Sequence, residues 1–290
     1  MTMRLLTVIA ICFNHERFVR ECLESIRAQT FQDFELIIVD DGSSDRSQQI
    51  IRAWIDEHGV RCSFIAHSTN RGLLPTLNEV LALVSGKYFA KVSTDDVWLP
   101  DKLARQVQVM ESLPDSVAVL YGEAEQITED GTLMPVSFLD QHCAGMPRPQ
   151  RRIHDRLLKG NFIPSLTTMV RTSSVRAVGG YDESLVYEDW DMWLRLSSVY
   201  EFEYVDAVLA RYRVVADSLI RTLNQRRRPD KLWSDFRILK KCVVAGLSDA
   251  STRRNAIWRM GRCAEELLRH PDPRGLLGQS IYLWFRLRRW

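Results

Sequence analysis

Three clusters of carboxylates stand out from an otherwise ordinary sequence: Asp40-Asp41, Asp95-Asp96, and Glu188-Asp189 with Asp191. Adjacent acids repel, so a pair such as Asp95-Asp96 is tolerable when solvated or when a cation neutralises it. Mg2+ or Mn2+ suits that task, because these hard ions take oxygen ligands from one or two carboxylates and the phosphates of a nucleotide. The alternative is a solvated loop ahead of a helix opened at Pro100. Asp40-Asp41 precede Gly42-Ser43-Ser44, which reads equally well as a tight strand-to-helix turn capped by a serine hydroxyl. The third cluster lies among Tyr187, Trp190 and Trp193. Apolar neighbours raise a carboxylate's pKa and make it a better base, so this cluster holds a candidate general base. Asp191 and Arg195, four residues apart at a helix start, could simply pair.

The elements that must position these acids follow from hydrophobic periodicity. Short apolar runs at Leu5 to Cys12, Glu35 to Val39, Cys62 to Ala66, Lys87 to Val92 and Val117 to Tyr121 read as strands buried on both faces. Between them, Phe18/Val19/Cys22/Leu23/Ile26, Ile50/Ile51/Trp54/Ile55, Leu73/Leu77/Val80/Leu81/Val84 and Leu103/Val107/Met110 repeat at helical spacing. Alternation of strands and helices predicts an α/β fold with a mostly parallel central sheet flanked by helices. The acid pairs then fall at carboxyl ends of strands, where open α/β sheets bind ligands. Residues 123 to 149 lose periodicity and read as a loop. Beyond them come a strand at Leu166 to Val170, a Gly179-Gly180 turn, a helix from Asp189 to Val199 and a strand near Leu209 to Val214.

The motifs Val8-Ile9-Ala10-Ile11-Cys12-Phe13-Asn14, Ser25-Ile26-Arg27-Ala28-Gln29-Thr30-Phe31, Val39-Asp40-Asp41-Gly42-Ser43-Ser44-Asp45, Asn70-Arg71-Gly72, Thr94-Asp95-Asp96-Val97-Trp98-Leu99-Pro100, Val178-Gly179-Gly180-Tyr181-Asp182-Glu183 and Glu188-Asp189-Trp190-Asp191 occur in that order. Together they resemble the inverting family 2 glycosyltransferases of the A-type fold, over about residues 4 to 219. The resemblance implies nucleotide contacts from Ile11, Phe13, Asn14, Asp41 and Asn70, with Asp40 supporting its strand end. It further implies Asp95 on the ribose, Asp96 on a Mn2+ or Mg2+ ion bound to the diphosphate, and Asp189 as the general base. Glu188, Trp190, Arg213 and Ser218 are expected at the acceptor or phosphates. The implied substrates are a UDP- or dTDP-type sugar donor and a saccharide or lipid-linked acceptor, as in polysaccharide or glycolipid synthesis. Two departures matter. Ser93 stands where many relatives have a further acid, and Tyr212-Arg213-Val214-Val215-Ala216-Asp217-Ser218 lacks the histidine common in that run.

A chain of 290 residues, 46% hydrophobic and 26% charged, has room for one catalytic domain and an appendage, read here as 1–220 and 221–290. Residues 1–220 hold 22 Lys/Arg against 31 Asp/Glu, net −9; residues 221–290 hold 17 against 6, net +11. An acidic body suits a cation and a basic helical extension suits something anionic. Residues 276–290 mix arginines and aromatics at helical spacing, which fits either an interfacial membrane helix or a face packed on the body or on a second copy in a homo-oligomer. No nucleic-acid motif accompanies the charge. The six cysteines lack C-x-x-C spacing and read as reduced core residues of a cytosolic protein, peripheral on the inner membrane face if the tail binds lipid. A nicotinamide dehydrogenase would need glycines after the first strand, where Cys12-Phe13-Asn14-His15-Glu16-Arg17 has none. A nucleotidyltransferase would likewise need a Gly-rich opening loop. A catalytically silent relative acting as a binding or assembly subunit is the remaining rival.

Overall fold

Strand alternation sorts the core into two layers. In the first strand, Leu6, Val8, Ala10 and Cys12 point to one face of the sheet and Ile9 and Ile11 to the other, each set entering a different apolar cluster. A computed structural model of the chain describes residues 4–143, 147–215, 229–246 and 250–269. Its strands are β1 (Leu6–Cys12), β2 (Phe34–Asp40), β3 (Ser63–Ala66), β4 (Tyr88–Ser93), β5 (Val97–Trp98), β6 (Val117–Ile127), β7 (Met169–Arg171) and β8 (Glu201–Arg213). They form one sheet in the order β3-β2-β1-β4-β7-β6-β8-β5. The pairs β1·β2, β1·β4, β2·β3 and β6·β8 are parallel, whereas β4·β7, β6·β7 and β5·β8 are antiparallel. The sheet is thus mostly parallel, as expected.

On one face lie α1 (Val19–Arg27), α2 (Ser47–His58) and α4 (Lys102–Ser112), whose Leu23, Ile26, Trp54 and Leu103 are buried against the even-numbered β1 residues. The opposite face carries α3 (Leu73–Leu83), α7 (Thr172–Ala177) and α8 (Asp189–Ser197). Two short helices, α5 (Phe138–Cys143) and α6 (His154–Leu157), also close that side. So do α9 (Pro229–Ala245) and α10 (Ala250–Leu268), which place Phe236, Ile238, Leu239, Ala256 and Met260 in the same cluster as α3 and α8. No helix among the described residues is long and apolar enough to cross a membrane. The six cysteines are all free thiols. Ser218 and the 276–290 stretch lie outside the described residues.

The second half departs from the sequence reading in several places, and one is α5, a helix within the 123–149 stretch read as a loop. β6 runs on to Ile127 rather than stopping at Tyr121, because its polar residues are satisfied within the fold: Glu123 accepts from the Leu139 amide (2.8 Å) and from Arg148 (3.0 Å). The expected strand at Leu166 begins instead as a 3-10 turn, Ser165–Thr167, followed by a short β7. β8 starts at Glu201, eight residues before the expected strand, since Phe202 buries inward beside polar, half-exposed neighbours. β5 has only two residues, too few to leave a periodic signal, yet it closes the sheet edge on β8 through Val97↔Arg211 and Trp98↔Ala210.

Candidate active site

Parallel register gathers the acids. Cys12 pairs with Asp40 and Ile11 with Ser93, so the loops leaving β1, β2 and β4 emerge side by side at the carboxyl edge. Backbone bonds continue the ladder past the strands, from the Asp41 amide to the Cys12 carbonyl (2.9 Å) and from the Thr94 amide to the Ile11 carbonyl (2.9 Å).

Asp40 is fully buried and braces its own turn. It accepts from the Ser43 amide (2.9 Å), the Ser43 hydroxyl (2.6 Å) and Gln48 (2.7 Å). Asn14 adopts a left-handed φ of 57° and locks onto the same turn: its side-chain oxygen accepts from the Ser44 amide at 2.8 Å. Asp41, 3% exposed, accepts from the Arg71 and Gly72 amides (2.9 Å each) and meets the His67 ring at 2.8 Å. These bonds fold the 67–72 loop against β2 and leave Asn70 exposed beside it. Ile11 is buried, whereas the Phe13 ring is 41% exposed.

Gly42 makes that arrangement possible. Its φ is +73°, and an added Cβ would lie 2.3 Å from the Thr69 carbonyl carbon and 2.4 Å from the Asn70 nitrogen. Gly42→Ala is therefore expected to destabilise the protein by about 2 kcal/mol or more, from left-handed backbone strain and a backbone clash. Thermal unfolding checks this; an unchanged melting temperature would show that the 69–70 loop simply moves aside.

Asp95 and Asp96 occupy the turn between β4 and β5. Asp96 is 5% exposed and accepts from the Arg213 amide at 2.9 Å. Burial and the neighbouring Asp95 charge push its carboxyl well above the ordinary range. Asp95 has one buried carboxylate oxygen, Oδ1, without a hydrogen-bond partner, while Oδ2 lies 3.8 Å from His15 Nε2. A buried orphan oxygen beside a second carboxylate calls for a cation or a ligand hydroxyl. Among the described residues no group of three or more His, Cys, Asp or Glu side chains could cage a metal ion. An ion here would take one or two carboxylates from the protein and its other ligands from a bound phosphate, which suits Mg2+ or Mn2+.

Arg213 does not reach out to a ligand. Its side chain is 2% exposed, and its guanidinium donates to the carbonyls of Asp95 (2.9 Å) and Glu129 (3.0 Å) and to the Glu21 carboxylate (2.5 Å). The reason is register: extending the β5·β8 pairing two residues sets Arg213 opposite Asp95. The expectation of a phosphate contact is corrected to a brace beneath the acid turn. Trp190 is likewise corrected from an acceptor contact to a core residue, 5% exposed, its indole N–H donating to the Leu157 carbonyl (2.7 Å) under Arg259.

At the start of α8, Asp189 Oδ2 accepts from the Asn161 amide group (2.7 Å) and Oδ1 from the Trp190 backbone N–H (2.6 Å). Burial, then the Glu188 charge, raise its carboxyl to about 7, against the opposing pull of Lys91. Glu188 is bound by Lys91 at 2.6 Å, and Lys91 also donates to the Ser165 hydroxyl at 2.6 Å. Asp191 takes no part: it pairs with Arg195 (2.8 Å) and Lys241 (2.7 Å), tying α8 to α9. Because Lys91 belongs to β4, its ion pair anchors Asp189 beside the strand that delivers Asp95 and Asp96.

The Glycosyl transferase family 2 model matches residues 7–175, more than half of the chain. The chain belongs to this glycosyltransferase family. An uncharacterized glycosyltransferase of Rickettsia typhi is 30% identical over 249 residues, covering 82% of this chain and 72% of that protein. TuaG of Bacillus subtilis, whose name assigns it to teichuronic acid biosynthesis, is 27% identical over 240 residues, 82% of this chain and 89% of its own. Among solved structures, TarS of S. aureus in complex with UDP-GlcNAc superposes with a TM-score of 0.63 at 17% identity, over 91% of this chain and 72% of that one. The mannosyltransferase PcManGT of Pyrobaculum calidifontis, in complex with GDP-Man and Mn2+, gives 0.65 at 16% identity, over 98% and 82%. These two establish the shared A-type fold.

This glycosyltransferase also holds site residues that the sequence reading passed over: Lys91, Asn161, Ser165, His15 and His67. The first carried a signal, since a lysine inside Tyr88-Phe89-Ala90-Lys91-Val92 must find a partner if the strand is buried. The others had none, as their partners are 26 to 79 residues away in sequence.

Proposed function

We propose that this enzyme is a metal-dependent inverting glycosyltransferase. It moves a sugar from a UDP- or dTDP-type donor to a hydroxyl of a saccharide or lipid-linked acceptor in cell-surface polysaccharide or glycolipid synthesis. The observation that carries this reading is Asp189, a carboxyl raised to about 7 and oriented by Asn161 beside the strand bearing the Asp95-Asp96 pair. A base with a pKa near the working pH is best matched to removing a hydroxyl proton as that oxygen attacks. In a single displacement, Asp189 takes the proton while the acceptor oxygen bonds to the anomeric carbon from the face opposite the departing diphosphate. A divalent cation at Asp96 would neutralise the charge that develops on that leaving group. Asp95 offers its orphan oxygen to the ribose, and the Asp41-supported loop with Asn14, Asn70, Ile11 and Phe13 encloses the base. A silent binding subunit would have no need of a perturbed carboxyl at this position.

The test is a screen of nucleoside-diphosphate sugars with Mn2+ and Mg2+, following nucleoside diphosphate release and thermal stabilisation of the protein. A donor that stabilises only in the presence of metal is the expected result; binding with no release under any acceptor would favour the silent reading. Asp96→Asn is expected to weaken metal-dependent donor binding by roughly 10- to 100-fold, a loss typical of damage at a metal site. Calorimetric titration of donor with and without Mn2+ checks it, and an unaltered metal effect would take Asp96 out of that role.

A further inference from the structure

Glu188 and Asp189 are adjacent carboxylates at one helix start, and either could take a proton from an acceptor hydroxyl. Two acids this close share protons unless their surroundings differ. The surroundings differ sharply. Glu188 receives a full positive charge from Lys91 at 2.6 Å, whereas Asp189 receives only neutral donors, Asn161 at 2.7 Å and the Trp190 amide at 2.6 Å. We infer that Lys91 is the positioning residue that selects the base: its ammonium pins Glu188 as an anion and leaves Asp189 as the one carboxylate open to the acceptor's proton. This rests on the reading of Asp189 as the base.

Lys91 is well placed for that duty and for little else. It lies in the middle of β4, paired with Ile9 and 9% exposed, on a strand whose other residues up to Val92 are apolar and buried. A lysine there is costly unless paired. Ser165 accepts a second ammonium N–H at 2.6 Å, and Ser165 sits four residues after Asn161 on the segment entering β7. One stretch of chain therefore orients both the cation and the base. The phenols of Tyr181 and Tyr187, both raised by burial and so neutral, also feel the Asp189 charge, while Arg259 stacks on the Trp190 ring and donates to the Leu158 carbonyl. Arg195 is occupied by Asp191 and two carbonyls. Consistently, Glu188 is held below its usual range by Lys91 despite its burial, while Asp189 moves the other way.

In the reaction the acceptor O–H bond breaks, its proton passes to an Asp189 carboxylate oxygen, and its electron pair forms the new bond to the anomeric carbon. The pair from the broken sugar–phosphate bond leaves on the nucleoside diphosphate. Lys91 and Glu188 neither gain nor lose a proton.

The experiment is a 13C NMR titration of side-chain carboxyls in the full chain, with Asp189 assigned by its absence in Asp189→Asn. In Lys91→Met the Asp189 midpoint should rise by one pH unit or more and the Glu188 midpoint should leave its low value. In Glu188→Gln the Asp189 midpoint should fall. Combining Lys91→Met with Glu188→Gln should bring it back to or below the wild-type value, a charge-specific rescue that a packing role for Lys91 would not produce. An unmoved Asp189 midpoint in Lys91→Met, or no rescue in the double variant, overturns the inference. Should Lys91→Met fail to fold, an unchanged midpoint in Glu188→Gln overturns it equally. Normal transfer by Asp189→Asn would instead defeat the base assignment while leaving these titrations intact.

Discussion

Asp189→Asn should lower sugar transfer by ~10²–10⁴-fold, the contribution of a positioned general base, while donor affinity in the presence of Mn2+ stays within about threefold of wild type. The amide keeps the size of the carboxylate but cannot take a proton, and its single oxygen can accept only one of the two hydrogen bonds, from Asn161 and from the Trp190 N–H, that the carboxylate accepts, unless the Asn161 amide turns over. The proposed donor contacts lie on the β1, β2 and β4 loops, away from α8, so binding has no reason to change. In the wild-type enzyme, transfer should rise with pH through about 7 as Asp189 ionises. The same group leaves a mark on stability. Its carboxyl is raised in the folded state, so between about pH 4 and 7 the folded chain holds a proton that the unfolded chain has released. Stability from this residue therefore falls as pH rises across that window, and above it the full cost of a buried anion remains. Asp189→Asn should consequently gain stability relative to wild type at pH 8 and show little difference at pH 3. Initial-rate measurements and thermal melts across this range check both halves. Full transfer by the variant would remove the base assignment, and equal melting shifts at pH 3 and 8 would show that its carboxyl is not raised.

What was legible in the sequence and what was not divide along sequence distance. The acid clusters could be read because each is local: two or three residues at a strand end or helix start, with turn and cap chemistry beside them. β1 to β4 were legible for the same reason, their boundaries falling within about two residues of the apolar runs. The supports were hidden because they come from elsewhere in the chain. Asn161 reaches Asp189 across 28 residues, His67 reaches Asp41 across 26, and Lys91 reaches Glu188 across 97. Nothing in local periodicity encodes such pairings. Arg213 shows the limit best, since its residue type is local but its partners are not. A cation two residues from Val215 in a motif lacking its histidine looks like a phosphate ligand. Its actual direction is set by β5, a two-residue strand that register alone makes decisive.

That direction gives the second large expectation. Arg213→Met should destabilise the fold by about 3 kcal/mol, because carbonyls left without a donor beneath a buried side chain cost roughly 1–3 kcal/mol each, and those of the half-buried Asp95 and Glu129 are two. The Asp95 and Glu129 carbonyls lose their guanidinium partner, whereas the more distant Thr128 carbonyl, 3.3 Å from it, keeps the Gly131 amide at 3.0 Å. Packing on the Phe18 ring, 4.9 Å from the guanidinium carbon, is kept in part by the thioether. Glu21, half-exposed, returns to water at little cost. Lysine is no conservative rescue, since an ammonium cannot reproduce a planar fork aimed at several oxygens. The functional loss should be selective. The Arg213 backbone amide still reaches Asp96, but the Asp95 carbonyl that fixed the turn is free, so Mn2+-dependent donor binding should weaken by roughly tenfold, as supporting-residue changes at metal sites do. Turnover at saturating Mn2+ should return to within a few-fold of wild type, because Asp189, Asn161, Glu188 and Lys91 are untouched. A stable Arg213→Met protein with a normal metal requirement would show that the acid turn holds its shape through β5 pairing alone.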